Sequence, residues 1–173
     1  MSTKQYMKSI VSSLYFIDHD EIQKAINTLR DAKERGAQVF IFGNGGSAAT
    51  SIHFANDIVK MCGIVAQSLT NVSILTAVAN DLNYGQGFAF PLRVLMSEGD
   101  VVIGISCSGK SENVLNALEY AQDHGVTISL TGDKKSRIME VSDICIKAPH
   151  KDIRVQEDVH MMICHAIAGE LSR

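Results

Sequence analysis

Residues 38–60 read QVFIFGNGGSAATSIHFANDIVK. A short apolar run, Gln38 to Phe42, passes into the glycine turn Gly43-Asn44-Gly45-Gly46 and then into a helix-like segment carrying His53 and Asp57. A run rich in β-branched and aromatic residues, with no polar alternation, is the pattern of a strand covered on both faces. The same pattern recurs at VVIGI (Val101 to Ile105), TISLT (Thr127 to Thr131) and ICIKA (Ile144 to Ala148), each separated from the next by a segment of helical spacing. Strand, loop, helix, strand in that rhythm predicts right-handed βαβ units, and so an α/β fold of three layers with a central parallel sheet flanked by helices. Ligands of such sheets bind beyond the carboxyl ends of the strands, which places the loops after Phe42, Ile105 and Thr131 along one edge.

Outward from that centre, periodicity predicts a helix over about Lys4 to Phe16 and a second starting near Asp18, whose DHDE run has capping-box spacing and which Gly36 ends. A long terminal helix is expected from about Asp152 to Ser172, carrying Glu157, His160 and His165. Pro91 and Pro149 mark local boundaries. No repeat, low-complexity tract or linker interrupts residues 1–173, and the chain is read as one domain whose N-terminal helices, residues 1–36, pack in an oligomer.

Composition narrows the classes. With 46% hydrophobic and 20% charged residues the chain has the balance of a globular protein. No apolar run approaches the roughly 20 residues of a membrane helix. The N-terminus lacks a signal-peptide pattern, so the cytoplasm is the expected location. A net charge of −3 without a basic block argues against nucleic acid as partner. Cys62, Cys107, Cys145 and Cys164 form no CxxC pair and read as buried free thiols.

Two glycine loops invite nucleotide readings. Gly43, Gly45 and Ala48 satisfy the relaxed dinucleotide fingerprint, yet IVAQSLTN (64–71), where an acid should hold the ribose, contains none. GISCSGKS (104–111) matches the P-loop expression, but Gly104 falls inside an expected strand and Asp133 lies too far past Thr131 for a magnesium-binding acid. Neither nucleotide cofactor is expected. The remaining chemistry is a cradle of hydroxyls, Ser106, Ser108 and Ser111 around Gly109, at a helix N-terminus whose free N–H groups and dipole favour an anion. Taken alone, a serine-rich turn that merely caps a helix has the same appearance.

Five segments in order, GNGGSAATSIHFAND, AND (79–81), GISCSGKSENVLNALEYA, SLTGD and QEDVHMMICH, together resemble the sugar isomerase (SIS) domain. More narrowly they resemble the phosphoheptose isomerases, which convert sedoheptulose 7-phosphate to D-glycero-D-manno-heptose 7-phosphate for bacterial lipopolysaccharide or capsule. The resemblance implies a flavodoxin-like fold, a homotetramer with sites shared between subunits, and zinc. It places Asn44, Gly45, Gly46 and Ser47 on a substrate-contacting turn, Asn80 and Asp81 on a second contact, and Ser106, Cys107, Ser108 and Ser111 on the phosphate loop. His53 falls on a metal-binding histidine, Asp57 on the catalytic glutamate, and Glu157 and His165 on the terminal-helix glutamine and histidine.

Three positions depart from that pattern: Asp57 is a methylene shorter than glutamate, Glu157 replaces glutamine, and Cys107 and Lys110 replace threonine and asparagine. A carboxylate displaced by about 1 Å can cost on the order of a hundredfold in rate. On residue chemistry, His53 and Asp57 are four apart and share a helix face. With Glu157 and His165 they would offer two imidazoles and two carboxylates to zinc or another divalent ion. Glu157 and His165, eight apart or about 12 Å of helical rise, would converge only on an ion between them. His160 reads as a core or interface histidine, and Met161 and Met162 as core packing. The expected reaction is aldose–ketose isomerisation through an enediol, with Asp57 as base and His165 as proton carrier. The competing class is a non-catalytic SIS-domain protein that binds a sugar phosphate in regulation or assembly.

Overall fold

The computed structural model describes all 173 residues. Helix α1 (Thr3–Leu14) begins with a complete capping box, Ser2 accepting from the Gln5 N–H while the Gln5 side chain accepts from the Ser2 N–H. The box expected at Asp18 is only half formed. Asp18 accepts from the Asp20 and Glu21 N–H groups at the start of α2 (His19–Arg35), but Glu21 does not return the bond. Its carboxylate instead pairs with Lys24 at 2.6 Å and accepts the Cys145 N–H at 3.1 Å, tying the helix to the sheet. Gly36, at φ 68°, ends α2 as expected.

Five strands form the sheet: β1 (Val39–Gly43), β2 (Ala66–Ser68), β3 (Asp100–Ser106), β4 (Gly125–Gly132) and β5 (Ile144–Ala148). All pairs are parallel, in the order β2-β1-β3-β4-β5. The chain leaves β1 for β2 on one side and returns to β3 on the other, so a switch point opens between the carboxyl ends of β1 and β3. Strand β2 escapes the sequence pattern because its Ala-Gln-Ser at the sheet edge has no apolar run to mark it.

Alternate residues of each strand feed opposite cores. Val39, Ile41, Val101, Ile103 and Ile105 face the larger core, closed by α1, α2, α3 (Gly46–Cys62) and α7 (Ile153–Leu171). Phe40, Phe42 and Val102 face the other, closed by α4 (Val72–Asp81), α5 (Ala89–Leu95) and α6 (Glu112–Gln122), where Phe42 stacks on Phe88 at 5.0 Å. Gly104 lies within β3, where a Cβ would meet Leu118 at 2.9 Å. It therefore cannot open a P-loop.

The terminal helix keeps its expected span, with Asp152 as N-cap. His160 is fully buried within it, whereas Met162 is exposed and Met161 half-buried, so that pair is not core. Cys62 and Cys164 are buried thiols, but Cys107 and Cys145 remain partly accessible. Helices α1 and α2 pack on α7, with the Tyr6 hydroxyl donating to Asp158 at 2.6 Å. No helix is long and apolar enough to cross a membrane.

Candidate active site

At the end of β3, Ser106, Cys107 and Ser108 turn through Gly109 and Lys110 into Ser111, the N-cap of α6. Gly109 sits at φ 61°, and a Cβ there would fall 2.1 Å from the Ser136 Oγ, so only glycine makes the turn. The Ser106 hydroxyl donates to Ser111 at 3.1 Å and lies 3.5 Å from Ser108. Ser111 makes no side-chain cap bond, which leaves the Glu112 and Asn113 N–H groups at the start of α6 free for an anion. These hydroxyls line a cavity of about 160 Å³ together with Asn44, Ser47, Cys107 and Glu157.

The Asn44 amide is locked. Its Nδ2 donates to Asn113 Oδ1 and its Oδ1 accepts from Asn113 Nδ2, both at 2.9 Å, while the Tyr84 hydroxyl donates to the same Oδ1 at 2.8 Å. One Nδ2 hydrogen of Asn44 is left over to meet a ligand. Neither Tyr84 nor the buried Asn113 was expected from the sequence, and no single-sequence signal marks them beyond their nearness to Asp81 and Ser111. On the other side of the turn, a Cβ on Gly46 would lie 2.5 Å from the Glu157 Oε1. Gly46 is thus what lets the carboxylate reach the N-terminus of α3, where the helix dipole favours it.

A second group sits farther along the same two helices. The Asp57 Oδ2 is 3.4 Å from His53 Nε2 and 3.7 Å from His165 Nε2, and the two rings meet edge to face at 5.1 Å. Asp57 is 8% exposed, whereas both histidines stand half-exposed at its mouth. The Asn56 amide donates to the other carboxylate oxygen at 3.3 Å. Since Gly46 meets Glu157 and Asp57 meets His165, α3 and α7 run side by side in the same direction.

That arrangement corrects the four-ligand expectation. One donor atom from each of His53, Asp57 and His165 lies within 4.8 Å of the others, but Glu157 is not among them. The eight-position separation of Glu157 and His165 along the helix keeps Glu157 at the serine end. Two imidazoles and one carboxylate with an open side match the number and kind of protein donors at a catalytic divalent-metal site. Asn80 and Asp81, at the exposed end of α4, bond to each other at 2.8 Å and do not line the serine cavity.

Cys107 and His160 also meet, Sγ to Nδ1 at 3.8 Å. The His160 Nε2–H donates to the Thr131 carbonyl at 3.0 Å, leaving Nδ1 as the acceptor. Burial pushes the thiol up to about 11 and the imidazole down to about 4. Both are neutral near pH 7, so this pair is not an activated cysteine nucleophile.

A parallel sheet with a hydroxyl cradle at its switch point and a carboxylate held between two histidines points to a protein that handles small anionic ligands. Residues 4–132 match the SIS domain, and the chain belongs to that family. Along its length it is similar to phosphoheptose isomerases. That of Aliarcobacter butzleri is 35% identical, with 96% of this chain and 100% of the relative covered, and that of Helicobacter pylori (strain P12) is 33% identical over 100% and 92%. The phosphoheptose isomerase structure from Neisseria gonorrhoeae superposes with a TM-score of 0.88 at 28% identity, covering 97% of this chain and 93% of that one.

Proposed function

We propose that this chain is a phosphoheptose isomerase, which interconverts sedoheptulose 7-phosphate and D-glycero-D-manno-heptose 7-phosphate by proton transfer through an enediol. The observation that carries the reading is the Asp57 carboxylate, 8% exposed and set between two histidine Nε2 atoms, on the helix pair whose N-terminal end carries the hydroxyl cradle. The serine loop holds the phosphate through its hydroxyls and the free N–H groups of α6. Asn44, with its one unspent N–H, orients a sugar hydroxyl, and Ser47, which lines the same cavity, completes the substrate contacts there, whereas Asn80 and Asp81 stand outside it.

Asp57 takes the proton from the carbon beside the carbonyl and returns it to the neighbouring carbon. His165 moves a proton between the two oxygens of the enediol, a role suited to an imidazole near neutral pH. His53, Asp57 and His165 would hold a divalent ion, zinc by the resemblance, which when bound would polarise the carbonyl oxygen. Asp57 is a short base by family standards, and the flanking histidines support its orientation.

A homotetramer in the cytoplasm, serving lipopolysaccharide or capsule sugar synthesis, completes the reading. The half-exposed histidines, the exposed Met7 and Val11 of α1 and the exposed Tyr15 at its C-cap support closure of the site by a neighbouring copy. The test is turnover of sedoheptulose 7-phosphate by the protein stripped of metal and resupplied with zinc, beside Asp57→Ala. Turnover should be zinc-responsive and fall by about 10²–10⁴-fold in the variant. Binding of the sugar without turnover would move the chain to the non-catalytic binding class, and neither binding nor turnover would remove the substrate.

A further inference from the structure

Next to the serine cavity lies a second hollow, of about 310 Å³, whose lysines have no part in the proton transfers proposed above. Four lysines line it: Lys110 from the loop after β3, Lys134 and Lys135 from the loop after β4, and Lys151 from the loop after β5. Three successive strand ends thus deliver ammonium groups to one concave surface, the edge at which parallel sheets receive ligands.

The charge is uncompensated. None of the four lysines makes an ion pair and no carboxylate lines the hollow. The nearby Asp152 is taken by Arg154, Nε to Oδ1 at 3.0 Å and Nη2 to Oδ2 at 2.6 Å. In a chain with 16 basic and 19 acidic residues, four unpaired cations around one cavity run against the overall balance. Their mutual repulsion is relieved by an anion of charge near two, which phosphate supplies. The hollow also shares Cys107, Ser108 and Ile153 with the serine cavity, so the two spaces adjoin.

We propose that the four-lysine hollow binds a second phosphate group, either the far phosphate of a sugar bisphosphate anchored in the serine cavity or that of a free polyphosphate. The first form rests on the reading of the serine loop as a phosphate site; the second does not.

The experiment uses the full chain and calorimetric binding of fructose 6-phosphate, fructose 1,6-bisphosphate and pyrophosphate at low salt. For a spanning ligand the bisphosphate should bind about tenfold or more tightly than the monophosphate, an advantage that shrinks with salt. Lys134→Gln with Lys135→Gln, exposed positions whose exchange leaves the fold alone, should bring that ratio near one. For a free polyphosphate, pyrophosphate should bind alongside fructose 6-phosphate and lose affinity in the same lysine variant. Pyrophosphate binding is repeated in Ser106→Ala with Ser111→Ala: retained there and lost on adding the lysine changes, it locates the anion in the hollow. A bisphosphate ratio near one together with pyrophosphate binding indifferent to the lysines would overturn the proposal. Failure of fructose 6-phosphate to bind while pyrophosphate still depends on the lysines would count against the sugar-phosphate reading and leave the second anion site standing.

Discussion

Asn113 supplies the amide that holds the Asn44 amide in one orientation, and it does so from a buried position on the first turn of α6. Asn113→Ala would leave the Asn44 Nδ2 without its acceptor and its Oδ1 held by the Tyr84 hydroxyl alone. Such a loss costs about 1–3 kcal/mol when the partner is buried, and less for Tyr84→Phe, whose hydroxyl is near solvent. We expect Asn113→Ala to lower the denaturation free energy by that amount and to raise KM for the sugar phosphate several-fold. Tyr84→Phe should raise KM with little change in stability. Unchanged KM in both would mean that Asn44 does not touch substrate. From the sequence, Asn44 stood out because glycines flank it, but its two partners lie 40 and 69 positions away, and no local pattern carries that separation.

At the scale of elements, His160 ties α7 to the end of β4 through its bond to the Thr131 carbonyl. Burial depresses its imidazole to about 4, below the usual histidine range near 6.5. A group with a depressed folded pKa is neutral when folded, while the unfolded chain takes up the proton first. Stability is therefore fully present above about pH 6.5 and is lost as pH falls toward 4, by roughly 3 kcal/mol if this group acts alone. Denaturant titrations between pH 7 and 4.5 should display that slope, and His160→Gln should flatten it. The fate of the other terminal-helix residues shows where periodicity stops being informative. Helical spacing predicts Glu157 and His165 on one terminal helix, and both lie on α7, yet whether they share a site depends on α3, whose parallel course hands Glu157 to Gly46 and His165 to Asp57.

For the whole molecule, the question is what covers α1. Met7, Val11 and Tyr15 are more than half exposed on one side of a helix whose other side binds α7 through Tyr6. If copies associate there, Val11→Lys with Tyr15→Lys should shift the protein to a smaller species in light scattering. Activity should fall with it wherever the neighbour closes the His53–Asp57–His165 mouth. A persistent oligomer with full activity would place the interface elsewhere.

What the sequence by itself determined is the alternation of buried strands with helices, four strands of the sheet, the position of Gly104 inside one of them, and the family. These follow from side-chain periodicity and from short motifs, which are local. The tertiary structure alone decided the edge strand β2, because three residues half-covered by a neighbour carry no periodic signal. It also decided the retreat of Glu157 from the histidine cluster, the Asn44–Asn113–Tyr84 network, and the gathering of four lysines at one hollow. Each of these depends on which strand ends and helix ends the parallel sheet sets side by side, a property of chain topology that spacing along a single sequence does not contain.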